Sequence, residues 1–225
     1  MPSGESLSRQ FLYGQRYFKS RFGEYSDTFW LPDTFGYSPA LPQLCQLAGM
    51  SRFFTQKLSW SQFNTFPHST FSWVGQDGSQ GLSLSLPISL CAEFPWIIAD
   101  SSRLVVLTHM TPVDTYTAQA CVGDVLKSIS NHKSPNPATS LLAYGNGDGG
   151  GGVCAPMIEN LRRCRAVANR SGELPKVYSG GSVKEFYDDI LVKTEGGKTL
   201  PSWKGELYLE LHRGTFTSHG SIKRG

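Results

Sequence analysis

Two acids in this sequence stand where a folded chain would present them for chemistry. Asp33 follows the short apolar run Phe29-Trp30-Leu31 and Pro32, and Asp148 follows Ser140-Leu141-Leu142-Ala143-Tyr144 through Gly145-Asn146-Gly147. Each run predicts a strand, and Pro32 would end the first because proline cannot donate to a central ladder. An acid at the C-terminal mouth of a strand, ahead of a glycine-containing loop, is where α/β enzymes place reactive groups. Two such carboxylates could divide nucleophilic and acid–base work on a bond held between them. Spacing alone favours a plainer reading of Asp33, as a cap for the helix that Pro42 would open. The glycines Gly149 to Gly152 have a plain reading too, a flexible linker. Yet four glycines cost backbone entropy, which a fold offsets only through close approach or positive φ. A P-loop is excluded there, since no Lys-Ser/Thr follows the glycines, and nucleotide binding is a weak alternative.

Other polar residues fall near the same predicted mouth. Arg52 to Lys57 reads as a strand, so Lys57 would lie near its end. It could orient a carboxylate or bind a hydroxyl, or it could be an exposed edge lysine. Phe35, two residues after Asp33, could stack under a flat apolar ring. Leu207, Leu209 and Leu211 alternate with Tyr208, Glu210 and His212, a strand pattern. That pattern would turn Glu210, His212 and Arg213 toward the mouth. Thr111 to Tyr116 reads as a loop at the mouth. His68 could be a ligand by type, but a hydrogen-bonded structural histidine is the better reading.

The elements that would carry these groups alternate. Leu7, Phe11, Leu12, Phe18 and Phe22 recur at helical spacing over Ser6–Phe22. Strands are expected around Phe29, over Arg52–Lys57, Thr70–Val74, Val106–Met110 and Ser140–Tyr144, and at Lys176–Tyr178. Helices are expected over Pro42–Ala48, Ala118–Ser130, Pro156–Arg165 and Ser182–Val192. The last opens on Ser182 with Glu185 three residues on, a capping box. Gln76 to Ser79 reads as a turn. The helix-then-strand rhythm is that of an α/β barrel.

Composition narrows the classes. The chain has 225 residues, enough for one core, with 39% apolar and 17% charged residues, which suits a folded globule. The net charge of +3 is small, and its one basic cluster is Arg162, Arg163 and Arg165. That is a solvated helix face, and no nucleic-acid partner is expected. The five cysteines make an odd number without a CxxC, which fits reduced thiols better than a disulfide framework. MPSGESLSRQ lacks the apolar core of a signal peptide, so the Asn169-Arg170-Ser171 sequon carries little weight. Leu82 to Ala99 is too short and too interrupted to span a membrane.

The segment FWLPDTFGYSPALPQLC, residues 29–45, resembles the nucleophile segment of the glycoside hydrolase family 38 α-mannosidases, in the form found in their cytosolic and vacuolar branch. The resemblance continues through RFFTQKLSWSQFNTFPHSTFSWVGQDGS (52–79), GNGDGGGG (145–152) and GELYLELHRGTFTSH (205–219). Four motifs in family order cover nearly the whole chain. The resemblance implies an incomplete (β/α) barrel over residues 1–200. Residues 201–225 would hold the last barrel motif and the start of a link to a helical domain absent from this chain. It implies a retaining mechanism on terminal non-reducing α-D-mannosyl residues, with Asp33 as nucleophile and Asp148 as general acid/base. Phe35, Tyr37, Lys57, Glu210, His212 and Arg213 would then bind substrate, a mannose-containing oligosaccharide. It also implies one Zn2+, with Asp33 as a ligand and the others from an upstream His-x-Asp and a downstream His-Asp. Neither of those matches here, so His212 and His219 are not promoted to ligands. A truncated, inactive fragment is therefore expected, with a non-catalytic mannose-binding or interaction remnant as the alternative. A cytoplasmic or vacuolar setting follows from the branch, and oligomerisation would run through the absent domains. Two departures stand out. Val153 replaces a proline usual after the glycines, and Gly81–Val105 resembles nothing in the family. An inserted apolar hairpin and a translated, unspliced intron compete as origins of that segment, and the intron accounts better for it.

Overall fold

A computed structural model describes residues 2–76, 105–134, 136–171 and 174–224. The turn over Gln76–Ser79 and the atypical segment 81–105 therefore lie almost wholly outside the described residues, as do Cys91 and the side chains of Asn169 and Ser171 in the sequon.

The sheet is mixed and has five strands: β1 Thr28–Trp30, β2 Arg52–Thr55, β3 Thr70–Val74, β4 Val105–Met110 and β5 Ser202–Lys204. Their order across the sheet is β1-β2-β4-β3-β5. β1, β2 and β4 run parallel, β3 is antiparallel to β4, and β5 is parallel to β3. The sheet is open among the described residues, an incomplete α/β arrangement. Parallel pairing of β1, β2 and β4 puts three C-terminal ends side by side on one rim.

Every residue of β2 is buried, as expected of a central strand covered on both faces. On one face Phe53 meets the rings of Phe29, Tyr37 and Trp73 at 5.4, 5.2 and 5.3 Å. Leu207 and Leu209 close the same cluster. On the other face Leu107 packs with Tyr187 and Ile190 of the helix α5, Val183–Lys193. The Tyr187 hydroxyl donates to the Phe53 carbonyl at 2.6 Å. Arg52, buried in β2, pairs with Asp27 ahead of β1 and with Asp188 of α5, joining helix to sheet.

The first helix, α1 Gly4–Phe22, is capped by Ser3, whose hydroxyl accepts from the Ser6 amide, and is closed by Gly23 at φ 79°. Its apolar stripe is narrower than the spacing predicts. Phe11 and Gln15 are buried, while Leu12, Phe18 and Phe22 face out. Gln15 earns its burial by hydrogen bonds to Ser26 and to the Ala48 carbonyl. It thus ties α1 to the entry of β1 and to the end of α2, Leu41–Leu47. Two more helices follow, α3 Val122–Ser130 and α4 Ala155–Ser171. α5 opens on the Ser182–Glu185 capping box read from the sequence, and α6, Gly220–Arg224, ends the described chain.

Three expected strands do not form. Ser140–Tyr144 makes a single bridge, Tyr144 to Ala118, and Leu207–Leu211 makes a single bridge, Leu207 to Tyr37. Lys176–Tyr178 is irregular. In 207–211 the alternating burial holds, with Leu207 and Leu209 inside and Tyr208 outside. Side-chain periodicity follows from burial, whereas a ladder needs a partner edge, and there Tyr37 is the partner. Gly36, at φ 99°, brings Tyr37 to that bridge. A Cβ at Gly36 would lie 3.3 Å from the Leu207 carbonyl oxygen.

Candidate active site

Each of three adjacent parallel strands delivers one functional group just past its C-terminal end. Asp33 follows β1, Lys57 follows β2, and Tyr116 follows β4. Lys57 lies in the 3-10 turn Lys57–Trp60 and is buried, although its type favours the surface. Its ammonium is 2.7 Å from Asp33 Oδ1 and 3.4 Å over the ring of Trp60. The rings of Phe35 and Tyr116 stand 5.5 and 5.4 Å from the same nitrogen. A buried ammonium is stable only when paired, and here a carboxylate and aromatic faces supply the partners.

Asp148 arrives from a different part of the chain. Asn146 and Gly152 form an antiparallel bridge, with N–H to O distances of 2.7 and 3.0 Å. The glycine run is thus a tight re-entrant loop rather than a linker, with Asp148 near its tip at φ 55°. Its root is fixed by His109. That side chain is buried in β4, with Nδ1 2.9 Å from the Thr70 hydroxyl, while Nε2 accepts from the Leu141 amide at 3.2 Å. Because Nε2 accepts, the proton sits on Nδ1 and the ring is neutral. Burial first, and the charge of His132 second, pushes its pKa down to about 3.

The two acids meet at one phenol. Tyr116 Oη lies 2.7 Å from Asp33 Oδ2 and 3.0 Å from Asp148 Oδ1, so those two carboxylate oxygens are at most about 5.7 Å apart, the two bonds laid end to end. Partial burial pulls the Asp33 carboxyl upward. Hydrogen bonds from Lys57 and Tyr116, and the Lys57 charge, outweigh that and hold it below its usual value. Burial, with both carboxylates beside it, raises the Tyr116 phenol, so it stays a proton donor. Asp33 does not cap α2, whose N-cap is Ala40 without a side-chain bond.

The remaining expected site residues divide. Phe35 is on the rim, with the His212 ring 5.0 Å away. Tyr37 is buried, its hydroxyl donating to the Leu31 carbonyl at 3.0 Å and close to Thr55 Oγ1. It therefore supports the loop that carries Asp33 from beneath. Glu210 accepts from the Phe63 and Asn64 amides at 3.1 and 2.6 Å and from Asn64 Nδ2 at 2.5 Å. It is engaged with the 61–65 loop. Arg213 stands 5.9 Å from the rings of both Phe63 and Tyr208. His68 is partly buried beside Phe66 and Phe71. Tyr116 and His109 were not singled out by spacing. For Tyr116 a signal existed, its place in a loop just past a strand end.

Two acids, with a buried lysine and aromatic rings around them, thus gather at the C-terminal rim of an α/β sheet, and a pair of carboxyl groups is what glycoside hydrolysis uses. Residues 1–206 match the Glycosyl hydrolases family 38 N-terminal domain, and the chain belongs to that family. It is 49% identical to an alpha-mannosidase of Saccharomyces cerevisiae (strain ATCC 204508 / S288c) over 226 residues, covering 100% of this chain and 19% of that protein. It is 44% identical to Alpha-mannosidase G of Dictyostelium discoideum and 41% identical to Alpha-mannosidase 2C1 of Homo sapiens, again over all of this chain and 18% and 19% of theirs. The chain thus spans about a fifth of the length of these relatives. In fold it resembles a crystal structure of an alpha-mannosidase from Enterococcus faecalis V583. The TM-score is 0.58 at 17% identity, over 91% of this chain and 20% of that one.

Among the described residues no three His, Cys, Asp or Glu side chains group to hold a metal ion. Asp33 is one oxygen ligand by type, but a zinc site takes about three protein ligands. The residues present do not fit the expected Zn2+. No described helix is long and apolar enough to cross a membrane.

Proposed function

We propose that this chain is the portion of a retaining α-mannosidase that carries both catalytic acids. The substrate is an oligosaccharide with a terminal, non-reducing α-D-mannosyl residue. The carrying observation is the single phenol shared by Asp33 and Asp148. It brings one oxygen of each acid to within about 5.7 Å of the other, a spacing compatible with the roughly 5–5.5 Å between the carboxyl groups of retaining enzymes.

In this reading Asp33, ionised beside Lys57, attacks the anomeric carbon. Asp148 gives its proton to the leaving glycosidic oxygen, the carbon–oxygen bond breaks, and the alcohol departs. The glycosyl ester on Asp33 is then hydrolysed. Asp148, now a carboxylate, takes a proton from water as that water attacks the anomeric carbon and frees Asp33. Phe35 lies under the sugar, with His212 beside it. The Zn2+ expected of the family would draw its other ligands from outside this chain. On this reading the chain alone is inactive, the complete protein works in the cytoplasm or vacuole, and any oligomer forms through other domains.

The test is turnover of aryl α-mannosides by the complete protein, with product stereochemistry followed by NMR. Release of the α-anomer first, lost in Asp33→Asn, supports the reading. First release of the β-anomer overturns retention. Mannose binding without turnover in the complete protein would instead favour the non-catalytic remnant.

A further inference from the structure

Asp33 and Asp148 are held unequally. Asp33 has two tethers, Lys57 on one oxygen and Tyr116 on the other. Asp148 is exposed, near the tip of a glycine loop and in a left-handed backbone conformation. Among the described residues, its carboxylate has one hydrogen-bond partner, the hydroxyl of Tyr116. That hydroxyl has one proton and two neighbouring carboxylates, so it donates to one acid at a time.

Tyr116 itself is well fixed. The Thr117 amide, next to it, donates to the Thr115 hydroxyl at 3.0 Å. Ala118 pairs with Tyr144, whose segment leads to Asp148. Gly147, immediately before Asp148, packs so closely on this segment that a Cβ there would lie 2.1 Å from Thr117 Cγ2 and 3.5 Å from the Tyr116 ring. Segment 115–118 is therefore the bed on which the Asp148 loop lies.

We propose that Tyr116 is the positioning residue for the general acid. Its hydroxyl, anchored from the β4 end, sets where Asp148 points relative to Asp33. The inference rests on the assignment of Asp148 as acid/base. Lys57 still holds Asp33 when the hydroxyl is removed, whereas Asp148 loses its one described side-chain tether. The two acids must therefore respond differently.

The experiment is Tyr116→Phe in the complete protein, which keeps the ring and deletes the hydroxyl. It is assayed on 2,4-dinitrophenyl α-mannoside, whose leaving group needs no proton, and on methyl α-mannoside, whose leaving group does. The expected result, read from kcat/KM because it reports the first step alone, is a loss of about two- to threefold on the first and about 100-fold on the second, the lower range for a general acid. On the first substrate kcat falls as well, since Asp148 also activates the water that frees Asp33. Equal losses on both substrates, or no loss on either, overturn the proposal. If the wild type cleaves no mannoside, the functional reading fails, and amide hydrogen exchange at Asn146 and Gly152 decides the positioning role alone. Faster exchange in Tyr116→Phe supports it, and unchanged exchange sinks it.

Discussion

Lys57 Nζ lies 2.7 Å from Asp33 Oδ1, and the lysine is buried while the Asp33 side chain is 43% exposed. The buried partner is the one that would be hardest to place elsewhere, since an unpaired ammonium inside a protein is costly. The pair therefore fixes the carboxylate against a rigid cation and not the reverse. Lys57→Met keeps most of the volume and removes the charge. Turnover by the complete protein should fall on the order of 10- to 100-fold, the usual cost of losing the group that orients a reactive carboxylate. Thermal stability should change little, because the charge left behind is that of Asp33, which is exposed enough to be hydrated, and no unpaired charge remains buried. A variant with full activity would remove Lys57 from the site.

Gly147→Ala tests how tightly the Asp148 loop lies on its bed. The new methyl would sit 2.1 Å from Thr117 Cγ2, so one of the two must move. Activity should drop more than tenfold, while Thr117→Ser alone should cost little because it keeps the hydroxyl that faces Thr115 at 3.0 Å. Combined, Thr117→Ser should restore most of what Gly147→Ala loses, a coupling expected of residues in contact. Simple additivity of the two changes, read from kcat, would argue against the packing account.

His109 makes the fold sensitive to acid. Its folded pKa, about 3, lies below the roughly 6.5 of an unfolded histidine. Between those values the unfolded chain binds a proton that the folded chain refuses. Stability is thus fully present above about pH 6.5 and declines as pH falls toward 3, by at most about 1.4 kcal/mol per pH unit from this one group. Burial lowers His68 and His132 as well, with the same sign. His109→Gln can keep both hydrogen bonds without titrating. Urea unfolding at pH 7 and pH 5 should show a smaller difference for this variant, and an identical difference would clear His109 of the effect.

Glu210 offers a separation between support and substrate contact. Hydrogen bonds from the Asn64 amide and side chain, and then from the Phe63 amide, hold its carboxyl below the usual range. Glu210→Ala should free the 61–65 loop, whose Phe63 is 76% exposed. Chymotrypsin should then cut at Phe63 several-fold faster, consistent with opening of a loop that loses charge-assisted hydrogen bonds. A rise in KM without faster cleavage would return Glu210 to the substrate.

Much of this was legible from residues alone. Asp33 and Asp148 were marked by apolar runs ending in an acid and a glycine loop. The Ser182–Glu185 cap was marked by two side chains three residues apart, because capping is a local interaction. Strands β2, β3 and β4 were readable because apolar and β-branched residues cluster in them. The strand expected over Leu207–Leu211 was not formed, since alternation reports which side chains are buried but not whether a neighbour offers its N–H and C=O groups. The roles expected for Tyr37 and Glu210 ran into the same limit. Residue type shows that a hydroxyl or carboxylate can bind, while the fold supplies Leu31, Thr55 and the 61–65 loop as partners.

The sequence by itself marked two acids after apolar runs, a lysine near a strand end, and the motifs of the family. Only the tertiary structure decided that the strand ends carrying Asp33, Lys57 and Tyr116 share a rim, that Asp148 comes from a loop without a strand before it, and that one phenol touches both acids. The reason is physical. Asp33 and Asp148 are 115 residues apart in the chain, and no local preference carries information over that distance. Parallel pairing of β1, β2 and β4 aligns their C-terminal ends, and the Ala118–Tyr144 bridge brings in the fourth segment.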